Sequence, residues 1–426
     1  MARTLTPKDG YTLINAIVRQ ATGQQTITAT DSSSFVSAGE TILATGYENT
    51  MNAISLVMGR TFAAVRPYRA RLISLNAINT GVYTHRFRKI SYYTKDALPS
   101  GAFNTDLFTN HAEGYTAGDN GGASTKSQYE QHLAMPLEMN FFGGSTTWQD
   151  AITMYEYDLQ QAFNSVDSFN VFIEGILVNH GNLIEHQKEA WNRATLLNAV
   201  AARNALEAAN ITSGCVINLT TEFNTFFSTN YTSAQLRSTY LKEFLEFMTA
   251  KIKETIDRFT EDSTAYHDPL TKTVGGVTYS ILRHTPRERQ KLLLFGPLWR
   301  LAESIVMPEI FNDSYLKLDT QFEPVEYWQS NTSDAVRPQI SWTGSYYDSV
   351  SGEQKATAAQ SIDYLVGVLF DEDAIVTDIQ LQDVAVSPLE ARKKFRNTWN
   401  TYAFNAINDQ SENMTIFVMN DSGVTP

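Results

Sequence analysis

Between Phe169 and Ala209 the apolar residues Phe169, Phe172, Ile173, Ile176, Leu177, Leu183, Ile184, Trp191, Ala194 and Leu197 recur at steps of three and four, the spacing of one helical face. Roughly 35–40 residues at about 1.5 Å rise make a rod of about 50–60 Å, longer than most globular helices. Asp167 or Ser168 is placed to cap its start. A rod of that length offers more apolar stripe than a small compact domain can cover. A second helix is expected from about Ser233 to Phe259, with Leu236, Tyr240, Phe244, Leu245, Met248 and Ile252 on one face.

The N-terminal stretch reads differently. Tyr11, Leu13, Ile14, Ile17 and Val18 form a short helical face closed by Gly23. Ser37 and Glu40 fit a capping box, and Met51 to Met58 form another short apolar helix. Thr- and Ser-rich connections separate these pieces. Short helices on polar tethers cannot make a core alone, so they are expected to lie on something else, with a neighbouring copy as the leading choice.

Charge is distributed unevenly. The 426 residues carry 33 Lys and Arg against 46 Asp and Glu, a net charge of −13. Yet Arg60, Arg66, Arg69, Arg71, Arg86, Arg88, Lys89 and Lys95 fall in an interval without a single acid. That interval is worth +8, so −13 less +8 leaves −21 on the rest. An acidic chain does not wrap nucleic acid by neutralising phosphates. The basic interval reads as a solvated face, as a segment that docks on acidic surface of another copy, or as a local phosphate contact.

Within it, Val82–Tyr93 is rich in strand formers, and a second strand-like run returns at Leu133–Phe142. The polar, Gly-rich stretch between, with Gly114, Gly118, Gly121 and Gly122, reads as a loop tip. Together they describe a long β-hairpin. A two-stranded ribbon is marginal in water unless something covers it. Thr273–Tyr279 reads as a tight hairpin around Gly275-Gly276, Leu292–Phe295 and Ile362–Phe370 as buried strands, Trp299–Val306 as a helix, Leu389–Arg396 as a short helix, and Thr415–Met419 as a closing strand.

Catalytic signatures are absent from the sequence. Glu185, His186 and Glu189 have metal-like spacing, but no second Glu-x-x-His helix exists, and they read as exposed helix charges. Gly118–Gly122 lacks the strand-to-helix setting and the Lys of a phosphate loop. There is no Gly-x-Ser-x-Gly elbow and no HExxH. The single cysteine, Cys215, excludes an internal disulfide and reads as a small buried hydrophobe. Asp371, Glu372 and Asp373 read as an acidic turn after a buried strand, and His284 as a core or interface histidine. No apolar run reaches the ~18 residues of a membrane span, and the first residues lack a signal's apolar core, so a cytoplasmic product is expected. No enzyme activity, cofactor or metal is expected.

Four ordered cues carry a resemblance. They are the run from Asp158-Leu159-Gln160-Gln161-Ala162-Phe163 to Arg193-Ala194-Thr195-Leu196-Leu197-Asn198; Arg283-His284-Thr285-Pro286 with the Leu292–Leu294 strand, Phe311-Asn312-Asp313 and Val325-Glu326-Tyr327-Trp328-Gln329; Gly367–Ile375; and Ser387–Arg392 running through Asn397-Thr398-Trp399 to Asn408–Asn413. In that order they resemble the major capsid proteins of tailed double-stranded DNA bacteriophages, of the HK97-like fold. The resemblance implies an α+β chain with an N-terminal arm (1–65), an extended β-hairpin loop with flanking strands (66–150), a peripheral domain holding a long spine helix (151–204), an axial domain (205–385) and a C-terminal return to the peripheral domain (386–426).

It further implies a structural subunit that self-assembles into hexamers and pentamers of an icosahedral virion head around packaged DNA, assembled in the host bacterial cytoplasm. Its partners would be the chain itself, a portal protein, separate scaffolding and decoration proteins, and DNA through weak, non-specific contact. The eight basic residues above are then candidates for inter-subunit contact. Lys89, Lys95 and Lys126 lie in or near the loop, where some relatives form a Lys–Asn cross-link, but nothing in the sequence marks one as reactive. The alternative within the same fold is an encapsulin-like shell around protein cargo. A large soluble enzyme is the alternative from another class.

Overall fold

The structure is a computed structural model and describes residues 7–24, 26–46, 49–50, 52–54, 57, 72, 75, 87–92, 137–142, 146–269, 272–274, 277–306, 321–329, 339–347 and 354–421. Its helices are α1 (Pro7–Thr22), α2 (Ser32–Ala44), α3 (Glu156–Ala162), α4 (Val166–Ala208), α5 (Leu219–Phe227), α6 (Ser233–Leu236), α7 (Leu241–Arg258) and α8 (Gly296–Val306). Its strands are β1 (Phe87–Tyr92), β2 (Leu137–Phe142), β3 (Thr146–Tyr155), β4 (Val216–Asn218), β5 (Lys272–Val274), β6 (Val277–Tyr279), β7 (Gln290–Phe295), β8 (Gln321–Val325), β9 (Ile340–Trp342), β10 (Ser345–Tyr347), β11 (Gln354–Ala356), β12 (Gln360–Ile362), β13 (Leu365–Asp371), β14 (Ile375–Val386), β15 (Phe395–Asn408) and β16 (Met414–Val418). The chain divides into two compact units, one of residues 1–85, 145–192 and 378–405, the other of residues 86–144, 193–377 and 406–426.

The first unit buries the N-terminal helices. Ile14, Ile17 and Val18 of α1 and Phe35, Ala38 and Ile42 of α2 join Leu159, Ala162, Phe163, Val166, Phe169 and Ile173 in one core. Phe35 meets Phe169 edge-on with ring centres 5.5 Å apart, and Phe163 stacks on Phe169 at the same distance. Each such ring buried contributes about 1.5–3 kcal/mol. The arm helices therefore have a home on α3 and the start of α4 within the same chain, and need no sister copy for it. The capping box belongs to Asp31 and Ser34: the Asp31 carboxylate accepts the Ser34 N–H at 2.8 Å, and α2 begins five residues before the expected Ser37. Ser165, not Asp167 or Ser168, caps α4, its Oγ accepting the Ser168 N–H at 3.1 Å.

A three-stranded sheet in the order β14-β15-β3 completes this unit. β15 and β3 pair over ten residues, from Phe395 opposite Tyr155 to Phe404 opposite Thr146. The helix expected at Leu389–Arg396 is instead a turn at Ala391–Lys394, closed by a Glu390–Phe395 bridge, that leads into β15. Lys394 adopts a left-handed φ of 49°, donates its N–H to Glu390 O at 2.8 Å, and the turn feeds straight into the strand. Five residues of modest helix propensity before a strand fixed by a ten-residue ladder are too few to nucleate a helix.

The second unit is built on a mixed five-stranded sheet in the order β4-β16-β13-β7-β8. β13 runs antiparallel to both β16 and β7, while β4 and β8 add parallel strands at the edges. β7, β13 and β16 are buried at every position. That is the pattern of strands covered on both faces, and it explains why they read as unbroken apolar runs. Gly367 is needed where β13 crosses β7, since a Cβ there would lie 2.8 Å from Leu293 O. Helix α7 turns Phe244, Leu245, Met248, Ile252 and Ile256 inward. The expected helix over 233–259 is split, because α6 ends at Leu236 and a turn over 237–240 intervenes before α7. A Thr232–Gln235 capping box starts α6.

The last turns of α4 lock this unit together. Arg203, fully buried, donates through Nη1 to Gln410 O at 3.0 Å and through Nη2 to Asp409 O at 3.0 Å and Glu412 O at 2.7 Å. One turn on, the Glu207 carboxylate accepts from Thr212 Oγ1, Gly214 N and Cys215 N at 3.0–3.2 Å. A buried charge is tolerated only when hydrogen-bonded in this way. Trp328 is buried beside the sheet, its indole N–H donating to Leu365 O at 3.0 Å. β1 and β2 form an antiparallel ribbon, with Tyr92 opposite Leu137 and Phe87 opposite Phe142. The Gly-rich tip between them lies outside the described residues.

Candidate functional site

The residue types that most often carry chemistry are committed to structure here. Cys215 is buried, as expected, and burial pushes its thiol pKa up, away from a reactive thiolate. His267 is buried with Nδ1 2.9 Å from Ala265 O and Nε2 3.0 Å from Ile281 O. Burial lowers its pKa, outweighing the two carbonyls that favour the charged ring. His284 is 57% exposed and lies 2.9 Å from Asp262, so it is not a core histidine of this chain. Asp371, Glu372 and Asp373 form the expected acidic turn, and all three pair with Arg289.

Glu185 and Glu189 depart from expectation. Both are about 95% buried on α4 rather than solvated, and only His186 of the trio faces water. Among the described residues no group of three or more His, Cys, Asp or Glu could hold a metal ion, and no helix is long and apolar enough to cross a membrane.

What the described surface does offer is apolar area. In the second unit, α5 presents Phe226 at 72% exposure and Phe227 at 47%. With Phe223 and Phe247 they form a cluster of tilted and edge-on rings, with ring centres 4.6–6.1 Å apart. The rings flank a cleft of about 600 Å³ whose rim carries Glu222, Glu246, Glu254 and Lys251. Lys251 is already held by Glu222 at 2.9 Å and Glu254 at 3.2 Å, and those carboxylates keep its pKa raised against the opposing effect of burial. Sequence reading missed this cleft. Its signal was Phe223-Asn224-Thr225-Phe226-Phe227, three rings in five positions on a nine-residue helix that can bury only one face.

A second apolar hollow of about 400 Å³ lies in the first unit, among Trp148, Leu183, Ile184, Tyr402 and Phe404. Trp148 sits edge-on to Trp191 at 5.8 Å and to Phe404 at 5.6 Å. Of the eight basic candidates, Arg88 and Lys89 lie on β1 opposite Phe141 and Asn140. Arg60, Arg66, Arg69, Arg71, Arg86 and Lys95 lie outside the described residues.

The fold, mixed helix and sheet with a 43-residue helix, a paired ribbon and a five-stranded sheet, is similar to one found in a phage capsid structure. The likeness that carries this is to a chain in the capsid structure of Staphylococcus phage Andhra, with a TM-score of 0.51 at 9% identity, over 83% of this chain and 84% of that one. Similarity also extends to a chain in the structure of head fiber and inner core protein gp22 of native bacteriophage P68 (TM-score 0.48, 10% identity, 82% and 84% covered) and to the capsid of cyanophage P-SCSP1u (0.43, 7%, 83% and 89%). No family model matches the chain, and no curated protein matches it.

Proposed function

We propose that this chain is a non-enzymatic, shell-forming capsid subunit of a tailed phage, many copies of which tile a closed head around packaged double-stranded DNA. The observation that carries the reading is the fold likeness to a chain of the Andhra capsid structure, which spans more than four fifths of both chains. The surface supports it. Phe226, Phe227 and Leu183 leave apolar area uncovered on each unit, beyond scattered single exposures. The two-stranded ribbon gains most if another copy covers it.

Charge fits the same role. A shell must confine DNA without gripping it, and a chain at −13 repels phosphate at long range. Weak contacts repeated across hexamers and pentamers would give a durable shell while assembly stays correctable. In this reading residues 66–150 supply the extended loop, 151–204 and 386–426 the peripheral part, and 205–385 the axial part. A portal, a separate scaffold and decoration proteins would be its other partners, and the virion its location. Negative-stain electron microscopy of the expressed chain tests the proposal. Closed particles of uniform size are expected. A species that sediments only as the 47.7 kDa monomer, with or without scaffold, overturns it.

A further inference from the structure

The cleft between α5 and α7 combines features that seldom occur together on a free surface. Its walls are aromatic: Phe226, Phe227 and Phe247 line it, and Phe226 is almost three-quarters exposed. Its rim is acidic, with three glutamates against one lysine. That lysine is not available to an incoming anion, because Glu222 and Glu254 hold it and Arg258 also engages Glu254. Glu246, next to Phe247 in the chain, is exposed on the cleft and makes no ion pair among the described residues. Ring faces with carboxylates beside them suit a guanidinium, which stacks on the ring and pairs with the acid. Aromatic residues and arginine are the types that interfaces enrich.

The same chain supplies a matching partner. Its interval 60–95 carries six arginines, two lysines and no acid, interleaved with Phe62, Tyr68, Tyr83, Phe87, Tyr92 and Tyr93. We infer that the Phe226–Phe227–Phe247 cleft with its glutamate rim is the acceptor for the basic interval 60–95 of a second copy of this chain. This deepens the shell reading and rests on it, since it names one contact by which copies would join. Opposite charge steers the encounter and sets its register, and the rings supply the buried area. The contact therefore weakens as salt rises.

The test uses the full chain with p-benzoyl-phenylalanine placed at Phe226, and separately at Phe227. Each version is co-assembled as a minority with isotope-labelled wild-type chain and irradiated, and the cross-linked peptides are read by mass spectrometry. Cross-links from the probe to labelled residues 60–95 are expected. The Glu246→Arg change is expected to lower their yield several-fold at low salt, and reversal of Arg86, Arg88 and Lys89 to glutamate to do the same. Normal particles whose cross-links map elsewhere, or only within the same copy, overturn the cleft assignment and leave the shell reading standing. A wild-type chain that forms no particles overturns the shell reading itself.

Discussion

Arg203 shows how a single side chain can hold a loop in place. Its guanidinium reaches three carbonyl oxygens of the 409–412 turn, and among the described residues no carboxylate pairs with it. Truncation to alanine removes the donors and leaves those carbonyls facing a void. Arg203→Ala is expected to cost about 3–5 kcal/mol, read as a lower urea midpoint, and Arg203→Lys to recover only part of it. His267 makes a pH-dependent contribution. Its folded pKa lies below the ordinary 6.5 because burial disfavours the cation, so the unfolded chain takes up the proton first as pH falls. The stability it gives is complete above about pH 6.5 and declines on acidification below that. The melting temperature of wild type is expected to fall more between pH 7.5 and pH 5 than that of His267→Gln. Neither residue was legible beforehand. Arg203 sits in a helix of ordinary composition, and only the return of residues 409–412 to that helix gives it a purpose.

Elements with strong periodicity were legible, and their ends were not. The long helix, the buried strands and the Gly275-Gly276 hairpin all follow from local pattern. The boundaries failed where a distant partner decided them. Leu389–Arg396 is locally helical in character, but a turn at Ala391–Lys394 and the Glu390–Phe395 bridge lead it into β15 instead. Glu185 and Glu189 look solvated on a helix wheel, yet both are buried. At this scale Gly344 is the sharpest probe. It lies between β9 and β10 against α4, where a Cβ would come 2.8 Å from Ala201 Cβ and 2.9 Å from Asn198 O. Gly344→Val is expected to destabilise by about 1–3 kcal/mol in denaturant melts, the range of overpacked sites. A neutral result would mean that the segment can lift away from the helix.

For the molecule as a whole, the expectation that the N-terminal helices lie on a neighbouring copy gives way to packing within the chain. The N-terminal helices fill a core with Phe163 and Phe169 of their own chain. Among the described residues the phenylalanine cleft and the hollow beside Trp148 keep apolar surface open. Composition pointed to such surface without locating it, because 42% hydrophobic residues with only 19% charged says how much apolar area exists and not where it emerges. A chain with residues 100–130 replaced by a short turn is expected to keep its far-ultraviolet circular dichroism and cooperative melt while forming no closed particles. Normal particles by electron microscopy would show that the loop is dispensable.

The position of β16 has a consequence for biosynthesis. Residues 414–418 slot between strands made from residues 216–218 and 365–371, and so sit inside the five-stranded sheet rather than at its rim. The ribosome must pass residue 418, and that stretch must clear the exit tunnel, before the second unit can close. Until then β13 presents a raw hydrogen-bonding edge where β16 belongs. An open edge of that kind invites pairing with another chain, so a polypeptide halted before residue 414 is expected to aggregate where one that reaches residue 418 does not.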